Sequence, residues 1–288
     1  MFSMAMFGQA LVNGVSLSAI YVLIALGFTL LFGIMRVVNF AHGAFAMLGG
    51  YALFFAYGQY QLPYAVAIIG SALLVASAGL IFEYLVVRWF YHKMFQSMIG
   101  LMGLNMAMVF TGVIVWDAHE RSIPAAASEV LFVGDLVIPA DRVVVLAVAI
   151  VVLFLFWMFI SKTKYGLAMR AASQDVEIAG TQGINARRIY QVAFFIAIFM
   201  TALAGSLYTQ VYALSPFVGE RILMVAFVVV ILGGMGSIPG AALGGILLGL
   251  SESFLSTFFG SAVSTFVTFG AVILLLVVRP WGILGEPE

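Results

Sequence analysis

Cysteine is absent from the 288 residues, which removes disulfides, thiolate metal sites and cysteine nucleophiles together. Charge is nearly as scarce. Only 8% of residues are Asp, Glu, Lys or Arg, against about 25% in soluble domains, and they cancel to a formal net charge of zero. A nucleic-acid partner, which needs a basic surface, is not indicated. No G-x-x-x-x-G-K-S/T stretch occurs, so the backbone cradle for ATP phosphates is missing. No cofactor is expected on this chain, and any ATP used is hydrolysed on another polypeptide. His42, His92 and His119 are scattered, with no second histidine at helical spacing and no visible Ser/His/Asp arrangement or metal cluster. An intramembrane enzyme is left without support. The first residues, MFSMAMFGQALVNG, carry no basic region, and the apolar run they open exceeds the roughly 7 to 15 residues of a signal-peptide core. The expectation is a retained first span.

What the chain has instead is apolar surface: 64% hydrophobic residues and a mean hydropathy of +1.18. A spanning helix needs roughly 20 mainly apolar residues, and blocks of that kind run over 10–34, 41–60, 64–87, 95–116, 142–160, 191–213, 222–235, 240–259 and 262–278. The block 222–235 is short for a full crossing and could be a half-helix. The blocks are continuous rather than alternating, which excludes a barrel. The expected fold is all-α, a polytopic transmembrane helical bundle of about eight to nine spans with interrupted helices, forming one domain over 1–288.

Orientation follows from charge. The largest polar insert, 161–191, carries Lys162, Lys164, Arg170, Arg187 and Arg188 against Asp175 and Glu177, and the positive-inside rule makes it cytoplasmic. The segment 117–142 carries Asp117, Glu120, Glu129, Asp135 and Asp141 against Arg121 and Arg142, and belongs outside. Counting back from these two segments puts Arg88 and Lys93 inside and the N-terminus outside; counting forward puts Arg279 and the C-terminus inside, provided 222–235 behaves as a crossing.

Two apolar runs are interrupted. In GIMRVVNFAHGAFAMLGG, residues 33–50, Arg36, Asn39 and His42 recur at three-residue spacing among glycines. A central Arg costs about 2.5–3.5 kcal/mol on insertion scales, so these groups face protein, water or the interface. In LGGMGSIPGA, residues 232–241, Gly233, Gly234, Gly236 and Gly240 surround Ser237 and Pro239, and proline lacks a helical amide donor. Small residues spaced by four follow each break: Ala46 and Gly50, then Ala241, Gly245 and Gly249. They let helices approach closely. Irregular backbone at membrane depth lines a cavity or is buried in protein, and paired glycine interruptions point to a transport path. The plainer reading makes 36–42 a cytoplasmic turn with Arg36 snorkelling.

The segment 11–51, with Asn39 to Gly43 reading NFAHG, resembles the first helices of LivH-type permease subunits of branched-chain amino acid ABC importers. GGMGSIPGAALGG, 233–245, and the ending RPWGILG, 279–285, are similar to that family too, the latter with Trp281 and Ile283 in place of its usual residues. The resemblance covers essentially the whole chain. It implies a multi-pass protein of the bacterial inner membrane, with 117–142 periplasmic. The implied partners are a second, LivM-like permease subunit, two ATPase subunits and a periplasmic substrate-binding protein. The translocation path is expected at Asn39, His42, Gly43, Gly233, Gly236, Ser237 and Pro239. The solute stays open among branched-chain amino acids, urea, short amides, taurine and aromatic acids, because the binding protein does much of the selecting.

Within the cytoplasmic loop 161–190, Asp175 suits an N-cap, Glu177 the positive end of a helix dipole and Gly183 the C′ position. Ile178 and Ala179 form a small apolar surface suited to a groove on another protein. Ala179 and Gly183, with Arg170, Asp175 and Asn185 around them, resemble the loop by which ABC permeases dock on their ATPases; the bland reading is a solvated loop. Among other polar residues, Glu83 reads as an interfacial acid near Arg88, Asn105 as an interhelical hydrogen bond, and Glu252 as a partner for Arg221 across the outer face. The rival function is a self-sufficient secondary transporter, which the paucity of buried acids disfavours.

Overall fold

The computed structural model describes residues 4–91, 93–127, 129–134 and 136–285; His92 and Asp135 lie outside the described residues. The helices are α1 (Met4–Met35), α2 (His42–Leu53), α3 (Tyr64–Leu85), α4 (Met94–Trp116), α5 (Ala140–Lys162), α6 (Lys164–Gln174), α7 (Val176–Thr181), α8 (Ala186–Val211), α9 (Val218–Gly233), α10 (Ile238–Phe259) and α11 (Ser261–Val278). A π-helical stretch, Phe54–Gln59, continues α2. A two-stranded antiparallel hairpin, β1 (Val130–Val133) and β2 (Leu136–Pro139), sits between α4 and α5. Among the described residues seven helices are long and apolar enough to cross a membrane. The fold is therefore the all-α polytopic bundle that the apolar blocks led us to expect, with α2 and α9 as its two shorter segments.

Helix α1 is apolar on every side and buried over nearly all of residues 16–35, as a helix without a polar face must be within a bundle. It packs against α5, α6, α8, α9 and α10. Glycines make the tightest of these approaches. A Cβ added to Gly249 would lie 2.5 Å from Ser18 Cα, and one on Gly245 2.8 Å from the Val22 amide nitrogen. Between α2 and α8 the backbones come equally close, because a Cβ on Gly49 would lie 2.1 Å from the Ala202 carbonyl oxygen. Helices α4, α5 and α11 form the outside, with most of their apolar surface exposed.

The bundle has two distinct ends. At one, the Tyr57 hydroxyl donates to the Ala125 carbonyl (3.0 Å), Arg121 and Leu214 exchange backbone hydrogen bonds (2.8 and 2.9 Å), and Arg142 donates to Asn13. At the other lie Arg36, α6 and the C-terminal segment, whose Ile283 and Leu284 amides donate to the Leu232 and Gly233 carbonyls at 2.9 and 3.0 Å. The RPWGILG ending thereby satisfies carbonyls that the end of α9 would leave unpaired. The start of α1 and Arg279 are thus at opposite ends, and the basic and acidic segments are separated as the charge pattern requires.

Candidate functional site

The first interruption begins where Arg36, exposed and at φ +51°, turns the chain out of α1. Residues 36–41 then run back alongside the bundle without helical structure. Helix α2 starts at His42, whose Nε2 lies 3.1 Å from the Ile24 carbonyl oxygen. At 1.5 Å rise per residue that carbonyl lies about 16 Å back from the end of α1, so α2 is a half-helix beginning deep in the bundle. Asn39 holds its start: its side-chain oxygen accepts from the Ala41 amide at 3.0 Å.

The partner of this break is 212–217 rather than the glycine turn the sequence suggested. Between α8 and α9 the chain folds back past Gly50, and α9 starts with Gly219 against Gly43, where either added Cβ would fall within 2.5 Å of the other's carbonyl oxygen. The first turns of α2 and α9 therefore abut, and the two helices run in opposite directions from that point. The sequence hid this because 212–217, with Pro216 as its one strong breaker, reads as an ordinary connection between spans, whereas 234–237 is rich in glycine yet forms a hairpin turn between α9 and α10 at the α6–α7 end. There Gly233 and Gly240 touch backbone to backbone, Gly234 and Gly236 take φ +107° and +86°, and the Ser237 hydroxyl caps α10 by accepting from the Gly240 amide at 3.1 Å. Pro239 sits in the first turn of α10, where a missing amide donor costs nothing.

Asn39 and His42 are fully buried, and neither lines the two large clefts of the bundle. His42 packs edge-on to Phe28 with the Thr201 hydroxyl 3.3 Å away, and Phe28 and Phe40 both pack on Phe227. This aromatic layer packs in the middle of the bundle. On one side of it in depth along α1, toward the 117–142 end, lies a cleft of about 500 Å³, bordered by Asn13, Arg142, Arg221 and Glu252. On the other, toward the α6–α7 end, lies a groove of about 680 Å³, bordered by Gly33, Arg36, Ser173, Gly236, Ser237 and Trp281. Gly33 and Gly236 meet there: a Cβ on Gly33 would be 3.6 Å from Gly236 Cα. The expected Arg221–Glu252 pair is present, at 2.9 Å. The hydroxyls of Ser256, Thr257, Ser261 and Ser264 also border the cleft at the 117–142 end, and sequence reasoning missed them. Their clustering around the α10–α11 junction was the available signal.

Two other polar residues are placed differently from expectation. Glu83 is buried and accepts hydrogen bonds from the Tyr91 hydroxyl and the Gln191 amide (3.4 Å), while Arg88 stacks over Tyr84 and Trp89 instead. One turn of 3-10 helix after α3 rotates Arg88 away from the acid. Burial, reinforced by Glu83, raises the Tyr91 phenol pKa, so that it stays a donor. Asn105 is half-buried in α4, and its side chain makes no hydrogen bond to another side chain among the described residues.

At the end of the bundle that carries Arg36, α6 and α7 form a bent pair. Asp175 Oδ1 accepts from the Glu177 and Ile178 amides (2.8 and 2.9 Å), capping α7 as expected. Gly183, at φ +81°, ends the helix: its amide donates to the Gly180 carbonyl and that of Ile184 to the Ala179 carbonyl, the Schellman pattern. The two apolar residues of α7 face opposite ways. Ala179 is 4% exposed, turned into the bundle, whereas Ile178 is 63% exposed. The apolar surface facing out is therefore Ile178 with Tyr165 and Leu167, with Arg170 and Glu177 also exposed.

Comparison with known proteins fits this architecture. The profile of the family described as "branched-chain amino acid transport system / permease component" matches residues 10–278. The chain is 34% identical to the high-affinity branched-chain amino acid transport system permease protein BraD of Pseudomonas aeruginosa, over 97% of this chain and 96% of that protein. It is 31% identical to LivH of Escherichia coli K12, over 98% and 96%. LivM of the same organism matches at 24% identity over 97% of this chain and 71% of LivM. No solved structure matches the chain.

Proposed function

The chain belongs to the branched-chain amino acid transport system permease family, and from that premise we propose that it forms half of the translocation path of an ABC importer for branched-chain amino acids. The observation that carries this reading is the pair of abutting half-helices between an outer cleft and an inner groove, with a capped, outward-facing helix pair beside the groove. Asn39, His42 and Gly43 form the closed middle of the path, and Gly233, Gly236, Ser237 and Pro239 shape its inner mouth. The glycine contacts let the halves slide without prying side chains apart. The chain supplies no ATP site. Two ATPase subunits dock at α6–α7 through Ile178 and Leu167, with Arg170 and Glu177 around them, while Asp175 and Gly183 hold α7 in shape and Ala179 anchors it from inside. A LivM-like subunit supplies the other half; the match to LivM over nearly the whole chain supports a pair of similar folds around one path. A periplasmic binding protein delivers the solute.

Expressed with its neighbouring subunits, the tagged chain is expected to co-purify with ATPase and second-permease polypeptides. A monodisperse chain that transports alone would return the secondary transporter to first place.

We further propose that the 117–142 end faces the periplasm and the α6–α7 end the cytoplasm of a bacterial inner membrane. Cysteines at Ser122 and Gln182, both on exposed positions, should then respond oppositely to an impermeant thiol reagent in intact cells. Ser122→Cys should be labelled and Gln182→Cys protected; the reverse would invert the topology.

A further inference from the structure

We propose that the outer cleft is a receptor for a zwitterionic aliphatic α-amino acid, so that the permease itself selects its solute after delivery. This deepens the function proposed above and rests on it. The cleft, about 500 Å³, falls within the roughly 300–1,000 Å³ of small-molecule sites. Its charged groups are of both signs. Arg142 and Arg221 present guanidinium groups, and Glu252 presents a carboxylate between Arg221 (2.9 Å) and the Tyr21 hydroxyl (2.6 Å).

The fit is to both ends of an amino acid. A guanidinium has five donors in a fork that matches a carboxylate. Arg221 spends a donor on Glu252 and Arg142 one on Asn13, and the remaining donors of both make no hydrogen bond among the described residues. Each Glu252 oxygen accepts one bond and keeps a lone pair, which suits an ammonium group. The side chains of the pair are 57% and 21% exposed, respectively, so a solute can reach them. Leu17, Ile20 and Val211 supply an apolar wall beside them for an aliphatic side chain. The Tyr21 and Asn13 contacts fix the acid and one base in place, so little ordering remains when a ligand binds. Urea and simple amides, which carry neither charge, would leave the charged groups without their matching partners and gain little from the cleft.

The test uses the assembled complex in lipid nanodiscs, without its binding protein, and saturation-transfer NMR with L-leucine, leucinamide and N-acetyl-leucine as probes. L-Leucine should bind saturably. Leucinamide, lacking the carboxylate, and N-acetyl-leucine, lacking the ammonium, should each bind about tenfold more weakly or worse, the scale of one lost charge-assisted hydrogen bond. Arg142→Gln, which leaves the Arg221–Glu252 pair intact, should weaken L-leucine to a similar extent while ATPase co-purification is unchanged. Equal binding of all three probes, no binding of L-leucine, or an Arg142→Gln complex that binds L-leucine as the parent does would overturn the proposal. Because co-purification is read in the same samples, loss of the ATPases would register separately, as failure of the importer reading.

Discussion

Gly205→Ala is expected to destabilise the protein strongly. The new Cβ would lie 2.1 Å from the Ala46 carbonyl oxygen and 2.6 Å from Ala46 Cα. These are backbone atoms of α2, which cannot rotate away as a side chain could, so the two helices must separate. Overpacking typically costs about 1–3 kcal/mol, occasionally more, and here the moving element is the half-helix that carries His42. The readout is the unfolding midpoint of the detergent-solubilised chain, expected to fall by several degrees at roughly 2–4 °C per kcal/mol. Gly103→Ala is the control: that glycine lies on α4 with no atom within 4 Å of an added Cβ, and alanine should be neutral or slightly stabilising there. Equal midpoints for the two variants would show that α2 and α8 are not held backbone to backbone.

The second large effect is expected at Ile178. Aspartate there places a charge in whatever groove receives α7, and an unpaired buried charge costs about 3–5 kcal/mol. A merely solvated helix would tolerate it within about 0.5 kcal/mol. Because Ile178 is exposed in the subunit itself, the variant should fold and insert normally while losing its ATPases or their binding-protein-stimulated hydrolysis. The neighbouring Ala179→Asp is a poorer probe, since that side chain is buried within this subunit and its loss would damage the bundle directly. Undiminished stimulated hydrolysis in Ile178→Asp would remove α7 from the coupling path.

These two positions also mark what could be read from the sequence. Segment-long apolar runs report burial in lipid directly, so α1, α3, α4, α5, α8, α10 and α11 were legible from hydropathy. The caps of α7 were legible because Asp175 and Gly183 act through local backbone geometry. Which of Ile178 and Ala179 faces out was not, because α7 makes fewer than two full turns and its phase is set by packing on its neighbours. The partner of the 36–41 break was misplaced for a related reason. Glycine and proline at 233–240 mark a turn, but the depth of a turn depends on how far the chain has folded back, which residue type does not encode. Glu83 illustrates the same limit: in the sequence it reads as an interfacial acid, but tertiary packing buries it and brings Tyr91 and Gln191 to it.

The energy source is the most direct test of the whole assignment. The subunits would be reconstituted into proteoliposomes with the binding protein outside, and uptake of labelled L-leucine followed under separate drives. Expected is accumulation that requires Mg-ATP on the α6–α7 side and all subunits together, with no uptake on imposing a sodium or proton gradient without ATP. Accumulation by this chain alone, driven by an ion gradient and indifferent to ATP, would contradict the assignment as an ABC permease subunit.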